Sequence, residues 1–136
     1  MKKIFSTRYS ELSFNLSMFL IRAGFGFLLF YNHGLRKLMN FEERKHTFSD
    51  PLNIGNSNSM MLVIFGEVFC ALLLVLGLFS RLASFVLVLL FIVIIFVVHK
   101  GDPVKDIEMA LLFLLVFITT LLCGPGKWSI DKLIGK

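Results

Sequence analysis

Apolar and polar positions in this chain segregate on the scale of whole helices. Uninterrupted apolar runs lie near residues 14–33, 60–79, 82–99 and 105–123. Each has the length a helix needs to cross the bilayer hydrocarbon, about 17 to 25 residues. With no water there, the backbone must be satisfied inside a helix or a closed barrel. These runs lack the two-residue alternation of a barrel strand. The pattern predicts an all-α fold: one integral membrane domain over residues 1–136, a bundle of four transmembrane helices with a long first loop.

The punctuation between the runs fits that count. Gly34 is expected to end the first helix, and Ser80-Arg81 leaves a tight turn between the second and third. Gly101-Asp102-Pro103 stops the third helix and starts the fourth, with Asp102 as N-cap and Pro103 as first helical residue. Gly124-Pro125-Gly126 ends the fourth, and "KWSIDKLIGK" follows as an interfacial tail anchored by Trp128. Short connections make neighbouring helices antiparallel and put both termini on one side. Residues 34–59 form the sizeable element outside the bilayer, with Leu35, Leu38, Met39 and Phe41 expected along the membrane surface and Glu42 to Lys45 in water. This is the expected lid or docking surface.

Composition strengthens the membrane reading. The chain is 57 % hydrophobic with a mean hydropathy of +0.82, outside the range of soluble domains. Sixteen Phe against one Trp and two Tyr place the aromatic mass in packing, since Phe brings no polar group into hydrocarbon. The net charge of +5 does not indicate nucleic acid, because the cations flank the apolar runs. Lys2, Lys3, Arg8, Arg81, Lys127, Lys132 and Lys136 lie on the side of the termini; Arg36, Lys37, Arg44, Lys45, Lys100 and Lys105 lie opposite. Seven against six leans toward cytoplasmic termini. The basic N-terminus resembles a signal peptide, but its apolar stretch is long, contains Arg22 and lacks an A-x-A-like cleavage site, so it is read as a retained span. Cys70 and Cys123 are isolated and lack the C-x-x-C spacing of a thiol-disulfide exchanger.

Arg22 and Glu67 are the charges that need explaining. A charge at the centre of a membrane helix costs about 2.5 to 3.5 kcal/mol on insertion scales, so such residues face a bundle interior and find partners. Arg22 lies about 16 Å below His33 and Glu67 about 12 Å below Ser59, at about 1.5 Å per residue. The depths match within a turn, which predicts an Arg22–Glu67 pair between helices one and two. Asn15, Arg22, Gly26 and His33 share one stripe of helix one. Met60, Val63, Ala71 and Leu74 surround Glu67, with Cys70 at the edge of that face. Glu108 stands one turn inside helix four, in line with Leu112, Leu115 and Thr119, and His99 closes helix three level with His33. Together Arg22, Glu67, Glu108, His33 and His99 are expected to form a polar funnel open on the long-loop side.

Each of these residues also has a purely structural reading. The pair would fix helix register. His33 and His99 suit helix C-termini, and Glu108 suits a helix N-terminus. His33, His99, Glu67 and Glu108 come from four helices and share no E-x-x-H or H-x-x-x-H pattern, so a metal is not expected; nor is a nucleotide, for which the chain carries no fingerprint.

With those residues in view, the chain resembles the DoxX-like membrane proteins. The likeness runs through "RAGFGFLLFYNHGLRKL", "DPLNIG", "GEVFCALLLVLGLFSRLAS", the His-Lys-Gly segment, "DIEMALLFLL" and "GPGKWSIDKLI". It implies a four-helix bacterial inner-membrane protein, some of whose relatives are subunits of quinone-linked oxidoreductases, including thiosulfate oxidation, or partners of other redox proteins. The polar residues it carries over by position are Arg22, His33, Glu67, Arg81, Glu108, Lys127 and Asp131, of which Arg81, Lys127 and Asp131 are taken as structural.

Two functions are expected to compete. In the first, the protein is a membrane redox subunit in which a quinone headgroup enters the funnel. Glu67 would exchange protons, Arg22 would hold the carboxylate or a quinone oxygen, and His33 or His99 would relay protons outward. Electrons would come from a protein partner within a larger membrane complex. In the second, it is a noncatalytic subunit or anchor that docks a partner on the 34–59 loop. A small-solute carrier ranks third, since inverted repeats are not visible.

Overall fold

The structure is a computed structural model that describes residues 3–136. Of the flanking cations, Lys2 falls outside the described residues. Four helices are long and apolar enough to cross a membrane: Glu11–Met39, Asn56–Leu76, Ser80–Val98 and Val104–Cys123, hereafter the first to fourth spans. They run up, down, up and down, so both ends of the chain lie at one end of the bundle. Large apolar side chains point outward all round, among them Phe27, Phe69, Phe85 and Leu122. That surface needs hydrocarbon rather than water around it, and the protein is a multi-pass membrane protein.

Inside, the third and fourth spans share the most extensive contact. Phe91 of the third packs on Phe113 and Phe117 of the fourth, with ring centroids 5.5 and 5.7 Å apart, and Phe25 of the first meets Phe113 edge-on at 5.7 Å. The first span buries Asn15, Met18, Arg22, Gly26 and Leu29, the stripe that helical periodicity predicts. The second buries Met60, Glu67, Cys70, Ala71 and Leu74.

Several boundaries differ from the expected ones, each for a local reason. Gly34 does not end the first span. The helix passes through a π-helical turn at Phe30–Gly34 and continues to Met39. A Cβ at Gly34 would lie 2.5 Å from the Glu67 carbonyl oxygen, so the glycine serves close approach of the first two spans rather than termination. Leu35, Leu38 and Met39 consequently prolong the helix instead of lying flat on the membrane. The turn between the second and third spans falls at Gly77 and Phe79, both left-handed with φ of 72° and 48°, and Ser80 already belongs to the third span. Pro103, with ψ of 151°, precedes the fourth span, while the Asp102 carboxylate is engaged 2.9 Å from His99 Nδ1 and caps nothing.

The close approach at Gly34 gives a stability prediction. Gly34→Ala should push the first two spans apart and destabilise the bundle by about 1–3 kcal/mol, as overpacking does. A lowered thermal midpoint in detergent would show it, with Gly24→Ala, where an added methyl meets nothing, as the neutral control.

Candidate functional site

Arg22 and Glu67 do not pair. Because the first span runs to Met39, Arg22 lies much farther from the long-loop end than a helix ending near Gly34 would put it. Its guanidinium donates to the carbonyl oxygens of Leu74 and of Val75 (3.0 Å), Trp128 (2.7 Å) and Pro125 (3.3 Å). Leu74 and Val75 lie in the last turn of the second span, where carbonyls lack the usual i+4 amide; Leu74 accepts only the Gly77 amide, at 3.1 Å, besides Arg22. Arg22, 1 % exposed, is therefore a clamp that caps one helix and holds the tail beneath the bundle.

The tail residues serve the same end of the bundle. Asn15 Oδ1 accepts the Lys127 amide at 2.7 Å, and the Lys127 ammonium pairs with Glu11. The Asp131 carboxylate accepts the Phe79 and Ser80 amides at 2.7 and 2.8 Å, capping the third span from 51 residues away in sequence. Burial pulls the Asp131 carboxyl upward, but the Ser80 amide and hydroxyl, the Phe79 amide and the charge of Lys136 outweigh it and leave it below its ordinary value. Arg81 stands exposed beside Gly124.

Glu67 has a different partner. The Lys37 ammonium donates to its Oε2 at 2.6 Å, and the carboxylate is almost wholly enclosed. Lys37 in turn forms part of the wall of a cavity of about 560 Å³ between the second and third spans. Leu62, Val63, Phe65, Val86, Leu89, Leu90, Val93, Ile94 and Val98 make its apolar faces, and Phe48 to Leu52 of the long loop lie across it. Its polar groups are Lys37, His99 and the serines Ser49 and Ser59.

Three of these four have a carboxylate behind them: Lys37 on Glu67, His99 on Asp102, and Ser59, whose hydroxyl donates to Asp50 at 2.7 Å. An apolar slot with a few convergent donors is the usual form of a small-molecule site. The backbone around it is unusual as well. π-Helical turns occur at Phe30–Gly34, Phe65–Cys70 and Ile94–Val98, one in each of three neighbouring spans. Such turns are rare and recur at functional sites.

The remaining expected funnel residues are dispersed. His33 is half-buried and packs edge-on against Phe113 at 5.7 Å, in the aromatic cluster rather than on the cavity wall. Glu108 is exposed, as are Leu112, Leu115 and Thr119 in line with it. The inward face of the fourth span is instead Phe113, Leu114, Phe117 and Thr120. Burial of that aromatic face outweighs inward placement of one carboxylate, which near a helix start reaches water. His99 alone of the expected relay lines the slot. Among the described residues, no group of three or more His, Cys, Asp and Glu is placed to hold a metal. Lys37, central to the site, was not singled out from sequence. It lies one helical step beyond His33 along the polar stripe and becomes visible once the helix is extended through Gly34.

The loop across the cavity is pinned by Asp50, which accepts the Ile54 and Gly55 amides at 3.0 and 2.9 Å besides the Ser59 hydroxyl. The Ser59 hydrogen bond lowers the Asp50 carboxyl from its ordinary value, burial opposes it, and the two amides add to the lowering. A depressed carboxylate contributes above its unfolded value and is lost as pH falls through the folded one. Hydrogen exchange at Ile54 and Gly55 should therefore stay protected at neutral pH and quicken only below the ordinary aspartate value of about 3.9. Asp50→Ala should expose both amides at every pH.

The DoxX family model matches residues 17–100, which takes in most of the first span, all of the second and third, the long loop, Arg22, Lys37, Glu67 and His99. The chain belongs to the DoxX family. No curated protein and no solved structure matches it. In this DoxX protein the match contains every residue of the slot wall, whereas the fourth span and the capping tail lie beyond it.

Proposed function

We propose that this DoxX protein is a subunit of a quinone-linked redox system of the bacterial inner membrane, and that the slot between the second and third spans takes the quinone headgroup. The observation that carries the reading is the enclosed Glu67 carboxylate held by Lys37, a wall residue of a largely apolar cavity between two membrane spans. Its volume of about 560 Å³ lies within the range of about 300 to 1,000 Å³ usual for small-ligand sites. A quinone supplies two-electron, two-proton chemistry on a ring soluble in lipid.

This chain supplies the polar side of that chemistry. Lys37 Nζ holds a headgroup oxygen and exchanges its proton with Glu67 Oε2, 2.6 Å away. His99, with Nδ1 on Asp102, presents a second ring nitrogen as a proton carrier toward the long-loop surface. The apolar walls exclude water and strengthen both interactions. Electrons come from a protein partner, and the long loop beside the slot is the surface we assign to it. Arg22 has no part in the chemistry, because its donors are already committed to four carbonyls.

Filling the slot tests the assignment. Val93→Trp should leave a folded, monodisperse protein whose retained quinone falls at least tenfold on gentle purification. Undiminished quinone in that variant would place the ligand elsewhere.

A further inference from the structure

A second cavity, of about 430 Å³, lies at the opposite end of the bundle between the start of the third span and the end of the fourth. Its wall includes the side chains of Arg81, Lys136, Ser80 and Asp131 together with Phe79 and Leu82. The quinone reading makes no use of it.

Arg81 is exposed and has no carboxylate within ion-pair distance among the described residues. The one acid of the cavity is engaged, since each Asp131 oxygen accepts a backbone amide. Lys136 places its ammonium 3.6 Å from the centre of the Phe79 ring. Two cations against one committed carboxylate leave the cavity attractive to an anion. The Ser80 hydroxyl, fully buried, leans on the Asp131 carboxylate and helps hold it in place, so the acid is committed to the start of the third span and the two cations are left to the cavity.

The surroundings say what kind of anion fits. Phe79, Leu82 and the neighbouring Leu122 are exposed apolar side chains, and Trp128, at the same end, marks the membrane interface. We propose that this cavity binds the phosphate of an anionic phospholipid. The Arg81 guanidinium forks two phosphate oxygens, and Lys136 adds charge. The acyl chains lie against Leu82 and Leu122. A bound lipid would thereby bridge the third and fourth spans at their tail end, opposite the quinone slot.

The full chain in nanodiscs of equal phosphatidylglycerol and phosphatidylcholine, released into mild detergent for native mass spectrometry, tests this. Wild-type protein should retain phosphatidylglycerol in preference to phosphatidylcholine. Arg81→Gln should lower the retained phosphatidylglycerol about fivefold, the effect of one basic residue at an anionic lipid surface. Arg81 is exposed, so the variant should fold, and Arg44→Gln at the other end of the bundle should leave retention unchanged. Equal phosphatidylglycerol retention by wild type and Arg81→Gln would overturn the proposal. So would displacement of the lipid by millimolar inorganic phosphate, which would make the cavity a free-anion site.

Discussion

Arg22→Met should cost most of the folded protein. The substitution roughly keeps the volume, and loses every donor to the Leu74, Val75, Pro125 and Trp128 carbonyls. A buried acceptor left without a partner costs about 1–3 kcal/mol, so loss of two or three of these bonds costs about 2–9 kcal/mol. That is a large part of the usual total stability of about 5–15 kcal/mol. The damage should be regional: the end of the second span frays, the tail detaches, and the Asp131 cap on the third span goes with it. Arg22→Lys should recover little, because an ammonium cannot reproduce the planar fork that serves two chain segments at once. Thermal unfolding in detergent and protease cleavage within residues 124–129 measure both effects. An Arg22→Met protein as stable as wild type, with an uncut tail, would remove Arg22 from the clamp.

Glu67→Gln should have the opposite character, with folding retained and quinone-dependent turnover lost. The amide oxygen of Gln still accepts from Lys37 Nζ, so the close approach of the first two spans at Gly34 is kept. It cannot take up a proton, and removal of a positioned general acid–base group costs about 10²- to 10⁴-fold in rate. Turnover in membranes containing the variant should fall by at least that lower figure while the thermal midpoint moves little. Lys37→Met should lose both turnover and stability, since it leaves the enclosed carboxylate without a cation. The contrast between the two variants separates proton transfer from simple helix clamping; unchanged turnover in Glu67→Gln would leave Glu67 as a clamp alone.

Much of the fold was legible in the sequence because membrane spans announce themselves by length and apolarity. The buried stripe of Asn15, Arg22 and Gly26, and the face of Met60, Glu67 and Leu74, followed from helical phase alone. The partners did not. Gly34 reads as a helix stop by residue type, and its actual role, a backbone contact with Glu67, depends on a neighbour 33 positions away. Moving that one boundary changes the depth of everything on the first span, which is why Arg22 and Glu67 looked level. Arg22 also bonds to residues more than 100 positions away in the tail, and no periodicity reports a tail that folds back. Glu108 was placed inward on the expectation that charge seeks the bundle interior. The Phe113 and Phe117 face took that position because a carboxylate near a helix start reaches water without help.

The slot itself combines residues of the first span, the long loop and the second and third spans, and of its ionisable groups only Glu67 and His99 stand out in the sequence. The central claim is that a largely apolar cavity ending on Lys37, with Glu67 behind it, holds a quinone. The most direct test is mass spectrometry and absorbance of the wild-type protein purified gently from its own membrane. The account predicts a lipid quinone at close to one per chain; a stoichiometric partner polypeptide with no quinone would contradict it and favour a noncatalytic docking subunit.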